Sequence, residues 1–137
     1  MTEPAGAEVM RGFVASSPLA RHLGIELVEI EADRARLRLP FADTVVTVGD
    51  VVHGGAICAL VDTAATAAAW ATDALPESQR GTTVGLTVDF LAAARGTDLL
   101  ADARVVRRGG QLCFCDVEVA DADGRLVAKG LATYKLG

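Results

Sequence analysis

From residue 52 to residue 71 the chain reads VHGGAICALVDTAATAAAWA, an apolar run that carries one charge, Asp62. Alanine dominates it, Pro is absent and its flanks are polar, a pattern that predicts a helix. A helix apolar on every side has to be buried on every side, so it predicts a spine wrapped by the other elements. A carboxylate inside such a spine is costly unless something pairs or uses it.

The remaining pattern is mostly of period two. Ile25, Leu27 and Ile30 alternate with Glu26, Glu29 and Glu31; after a turn at Ala32-Asp33, Ala35, Leu37 and Leu39 alternate with Arg34, Arg36 and Arg38. This predicts a hairpin of half-buried strands with acids facing arginines across it. Four more strands are expected over Thr82–Ala93, Leu99–Arg107, Gln111–Ala120 and Leu126–Tyr134. Their separators, Arg95-Gly96-Thr97, Arg108-Gly109-Gly110 and Asp121-Ala122-Asp123-Gly124, have turn chemistry, so all three connections read as hairpins. Residues 40–53 and 73–81 read as loops. Before the hairpin, Ala7, Val9, Met10, Phe13 and Val14 fit a short amphipathic helix that Ser16-Ser17-Pro18 stops.

The expected fold class is therefore α+β: one domain over residues 1–137, with a six-stranded antiparallel sheet curled around the long helix and a short N-terminal helix. One helix covers only one face of such a sheet. Leu112 and Phe114 lie opposite the strand face of Cys113, Cys115, Val117 and Val119, so the outer face is expected to stay partly apolar and to meet another subunit.

A net charge of −5 excludes nucleic acid as the main partner, because phosphate neutralisation needs a basic surface. The N-terminal residues show no basic region followed by an apolar run, and the Ala-rich helix falls short of the roughly 20 residues of a membrane span. No signal peptide or membrane role is expected. Cys58, Cys113 and Cys115 make an odd count without metal-ligand spacing, which points to reduced thiols in a cytoplasmic protein. Cys58 is expected in the core, and Trp70 as an anchor at the helix end. No metal or cofactor is implied.

The run His53-Gly54-Gly55, six residues, then Asp62-Thr63, together with Thr83-Val84-Gly85-Leu86-Thr87-Val88-Asp89-Phe90-Leu91, resembles the hotdog-fold thioesterases related to the phenylacetate-degradation (PaaI-like) acyl-CoA thioesterase family. The likeness covers the chain from about Leu23 to its end. It implies a thioester hydrolase acting on an acyl- or aryl-acyl-coenzyme A as substrate. It also implies active sites at a homodimer interface, with dimers often paired into homotetramers. As candidate site residues it implies Asp62, Gly54, His53 and Thr83 for catalysis, and Gly55, Thr47, Val84 and Gly85 for substrate binding; Thr66, one turn after Asp62 on the same helix face, is a further catalytic candidate that would orient water or the carboxylate. The family commonly has Asn or Gln six residues before the His. Here that position is Thr47, and the chain has no Asn at all.

The chemistry of these residue types fits. Gly54 and Gly55 open the helix, where N–H groups lack partners and the dipole favours developing negative charge. Asp62, among apolar neighbours, would be a strengthened general base, or a nucleophile toward the acyl carbon. Asp62 lies eight residues past Gly54, roughly 12 Å along one helix. One thioester carbonyl cannot reach both, so two helices from two chains would have to build each site. His53 is expected to position the helix start. Arg107, Arg108, Lys129 and Lys135 are candidates for the coenzyme phosphates, with solvated surface charge as the plainer reading. Two rivals remain open: a hotdog hydratase or dehydratase, and a non-catalytic acyl-binding module.

Overall fold

Acids and arginines alternate between residues 26 and 39, and the chain folds there as a hairpin of β1 (Glu26–Glu31) and β2 (Arg34–Leu39). Glu26, Glu29 and Glu31 stand opposite Arg38, Arg36 and Arg34, and each pair is close enough to bond. Exposed pairs of this kind each contribute well under about 1 kcal/mol; they set register more than stability. Asp33 makes the turn with a φ of 61°, a left-handed conformation that Asp tolerates better than most residues. The computed structural model describes residues 3–137.

The sheet has the order β1-β2-β6-β7-β8-β5, where β5 is Gly81–Phe90, β6 Leu99–Arg108, β7 Leu112–Asp121 and β8 Leu126–Leu136. Six antiparallel strands around one long helix match the expected architecture. The connections β6–β7 and β7–β8 are hairpins as predicted, but β5–β6 is not. β5 pairs with β8 at the far edge of the sheet, from Gly81↔Leu136 to Phe90↔Ala128. The Arg95-Gly96-Thr97 turn works elsewhere: Ala94 O accepts from Val52 N (2.9 Å) and Gly96 N donates to Asp50 O (2.8 Å). That return path therefore braces the segment before the long helix, where two short strands, β3 (Val46–Val48) and β4 (Val51–Val52), occupy the expected 40–53 loop.

Two short helices, α1 (Gly6–Ser16) and α2 (Pro18–Leu23), precede β1 where one was expected. Pro18 begins the second helix instead of ending structure, since Pro at the first helical position loses no hydrogen bond. Gly24, at a φ of 77°, closes it. Gly6 sits so tightly on the end of the long helix that a Cβ there would lie 1.6 Å from the Trp70 carbonyl oxygen.

The long helix, α3 (Gly54–Trp70), crosses the concave face of the sheet. Leu60, Val61, Ala64, Ala65 and Ala67–Ala69 are buried against β2, β6, β7 and β8. Small side chains bring helix and sheet close: a Cβ on Gly130 of β8 would meet Val61 Cγ1 at 2.5 Å. Trp70 anchors the helix end, its Nε1 donating to the buried Tyr134 hydroxyl at 2.8 Å. Among the described residues, no helix is long and apolar enough to cross a membrane.

The expectation of burial on every side fails along one stripe. Gly54, Gly55, Cys58, Ala59, Asp62 and Thr63 recur at helical spacing and stay exposed or half-buried. Cys58 therefore belongs to this stripe and not to the core. On the outer face of the sheet, one row runs Glu29, Arg36, Asp102, Glu118, Lys129, Asp89 across all six strands. Exposed apolar side chains cluster toward one end of that face, at Val106, Leu112, Phe114 and Leu131.

Candidate functional site

The start of α3 is held by one residue. His53 is its N-cap: its Nδ1 accepts from Gly55 N at 2.7 Å, and its carbonyl accepts from Ala56 N (3.0 Å) and Ile57 N (3.1 Å). An imidazole nitrogen that accepts carries no proton, so the neutral ring holds its hydrogen on Nε2. His53 is itself fixed by a bond from its N–H to Val45 O at 2.7 Å. Of the first four N–H groups of the helix, Gly54 N alone has no acceptor among the described residues. The helix thus presents a single free donor, where its dipole is most positive.

The two glycines are there for different reasons. A Cβ on Gly55 would sit 2.8 Å from His53 Nδ1 and displace the cap. A Cβ on Gly54 would lie 3.3 Å from the ring tip of Phe90. Beside Gly54 opens a cavity of about 340 Å³, walled by Val51, Val52, Ile57, Phe90 and Leu91, with Thr47 on its rim.

Two turns along α3, Asp62 accepts a hydrogen bond from Thr83 Oγ1 of β5 at 2.6 Å. Its other oxygen has no partner, and no cation pairs with it among the described residues. Asp62 is half-buried and open along the stripe, so the apolar enclosure expected for it is incomplete. Next to this pair, burial pushes the Tyr134 hydroxyl up; the bond from Trp70 opposes that, and the Asp62 charge adds to it.

The structure brings together Asp62 with Thr83, and separately His53, Gly54 and Gly55 with Thr47. It does not bring in the other candidates equally. Thr66 is buried one turn after Asp62 and makes no hydrogen bond to it. Val84 occupies a bulge between Thr83 and Gly85, and Gly85 pairs with Thr133 on the outer face, away from α3. That bulge lets Thr83 and Leu86 both face inward, since their partners Tyr134 and Ala132 are buried. Of the candidate phosphate contacts, Arg108 is bound to Asp33 and to the Ala69 carbonyl, and Lys129 pairs with Asp116 and Glu118. Phe90 was not singled out by its type or spacing; its inward alternation with Leu86 and Val88 is the signal that finds it.

Residues 49–128 match the family described as the thioesterase superfamily. The chain is 29% identical to the medium/long-chain acyl-CoA thioesterase YigI of Escherichia coli, over 91% of this chain and 89% of that protein. A thioesterase family protein from Silicibacter pomeroyi superposes with a TM-score of 0.87 at 25% identity, covering 97% of this chain and 100% of that one. The E. coli PaaI protein shares the fold at a TM-score of 0.85 and 22% identity, covering 99% of this chain and 96% of that one. Sheet, spine helix and the matched span agree: this chain, a hotdog fold, belongs to the thioesterase superfamily.

Proposed function

We propose that the protein hydrolyses acyl-coenzyme A thioesters to the free acid and coenzyme A, at sites each built from two copies of the chain. The observation that carries this reading is the separation on α3 of one free donor, Gly54 N–H, from one half-open carboxylate, Asp62, eight residues later. Roughly 12 Å along a helix is too far for a single carbonyl to serve both. Two antiparallel α3 helices related by a two-fold axis would set Gly54 of one copy near Asp62 of the other. The open stripe on α3 and the edge strand β5, with Val84 and Phe90 more than half exposed, give the area such a contact needs. The apolar cluster at one end of the outer face supports a further pairing of dimers.

In this mechanism the thioester oxygen accepts from Gly54 N–H, with His53 holding the helix start in place. Asp62 of the facing copy, oriented through one oxygen by Thr83, takes a proton from water with the other. The hydroxide adds to the acyl carbon, and the oxyanion that forms is stabilised at Gly54. Collapse breaks the carbon–sulfur bond, and the proton from Asp62 returns to the departing thiolate. Three free cysteines fit work in the reducing cytoplasm.

The test pairs a substrate panel with chain mixing. Asp62→Ala is expected to lower free-thiol release from acyl-coenzyme A esters about 10²- to 10⁴-fold without unfolding the protein. Gly54→Pro removes the free N–H at a helix position that accepts Pro. Dimers mixing the two variants should regain one working site of two. Absence of regained activity would overturn the two-chain site, and release unaffected by Asp62→Ala would point to the non-catalytic reading.

A further inference from the structure

We infer that Phe90 selects the acyl group, so that the site takes an unbranched, uncharged acyl chain and turns away acyl groups with an aromatic ring or a branch next to the carbonyl. This rests on the reading of Gly54 N–H as the carbonyl donor and adds to it what must lie beside that donor.

The register settles where Phe90 points. Leu86, Val88 and Phe90 pair with Ala132, Gly130 and Ala128, residues buried on the helix side of the sheet. Phe90 therefore faces inward at the edge that α3 leaves uncovered, and it is 53% exposed. Its ring tip faces the first residue of α3, with Cζ at 3.3 Å and Cε1 at 3.4 Å from the position a Cβ on Gly54 would take. The space flanking Gly54 is thus already filled on that side by an aromatic edge. A carbonyl bound at Gly54 N–H has to bring its adjacent carbon past the ring. A methylene passes more easily than a phenyl group or a branched carbon.

Beyond the ring, the cavity of about 340 Å³ continues between Val51, Val52, Ile57 and Leu91. Its lining carries one hydroxyl, on Thr47, and no charged side chain. The walls this chain supplies offer no partner to an acyl group ending in a carboxylate or ammonium, which disfavours such a group. Narrow beside the carbonyl and apolar farther in, the site is shaped for a straight chain.

The experiment compares octanoyl-, benzoyl- and succinyl-coenzyme A as substrates of the wild-type protein, Phe90→Leu and Phe90→Ala. In parallel, calorimetry measures Kd for the S-octyl and S-benzyl thioethers of coenzyme A, which bind without reacting. The wild type is expected to favour octanoyl over benzoyl by about tenfold or more in kcat/KM, and to reject succinyl. Phe90→Ala should raise the benzoyl-to-octanoyl ratio about tenfold, with Phe90→Leu between, and the ratio of the two Kd values should move the same way. A Phe90→Ala ratio within twofold of wild type in both measurements, or a wild type that prefers benzoyl, overturns the assignment. If no ester releases thiol with any of the three proteins, hydrolysis is the reading that fails, and the thioether Kd values still decide the role of Phe90.

Discussion

Thr83 Oγ1 donates to Asp62 Oδ1 across 2.6 Å, joining the edge strand β5 to the middle of α3 over 21 residues of sequence. The bond occupies one carboxylate oxygen and leaves the other on the open stripe. A carboxylate so held is oriented without being neutralised, which is what a base for water requires.

Replacing Thr83 tests that orientation. Thr83→Val keeps the shape and removes the donor, and a hydrogen bond to a charged group is worth about 1.5–3 kcal/mol. Thiol-release assays should show kcat lowered about 10- to 100-fold with KM nearly unchanged. Thr83→Ser, which restores a hydroxyl, should recover most of the rate.

The close approach of helix and sheet can be read as stability. Gly130→Ala would press a methyl group toward Val61 Cγ1, at 2.5 Å before relaxation. Overpacking of this kind costs about 1–3 kcal/mol, so thermal unfolding should begin several degrees lower. The double variant Gly130→Ala with Val61→Ala should lose less than the sum of the two single changes, because the second makes room for the first.

Alkaline pH should weaken the fold through a buried thiol. Burial, first, then the neighbouring Cys113, push Cys115 from 9.0 up to about 12. Between those values the unfolded chain releases this proton and the folded chain keeps it. Stability from this source is intact below pH 9 and is lost as pH rises toward 12. Unfolding followed by urea between pH 8 and pH 11 should show a shallower decline in Cys115→Ala than in the wild type. Equal slopes would remove Cys115 as the cause.

Much of this was legible in the sequence where the signal is local. The Glu and Arg alternation fixed the β1–β2 register, and the Ala-rich run placed α3 to within two residues at its start. The partner of β5 was not legible. Arg95-Gly96-Thr97 has hairpin chemistry, yet the pairing of β5 with β8 is decided by long-range packing over α3. The open stripe was hidden for a different reason. Gly, Cys and Ala look equally suited to a core, so composition could not tell which side of the helix lacks a cover. Pro18 misled because one residue type both ends structure and begins helices.

Arg108 bears on the helix from its other end. Its guanidinium bonds to Asp33 in the β1–β2 turn, to the carbonyls of Ala68 and Ala69, and to Cys113 Sγ on β7. Asp33 N adds a bond to Ala71 O at 2.9 Å. The last turn of α3 is thereby riveted to β6 and to the β1–β2 turn, whereas its first turn rests on a single histidine cap. The spine is a cantilever: clamped at Trp70, it leaves its compliance at Gly54, and amide exchange should run faster there than over the clamped turn. Under the proposed function, small adjustments to a bound acyl group would then be made at the Gly54 end without disturbing the core.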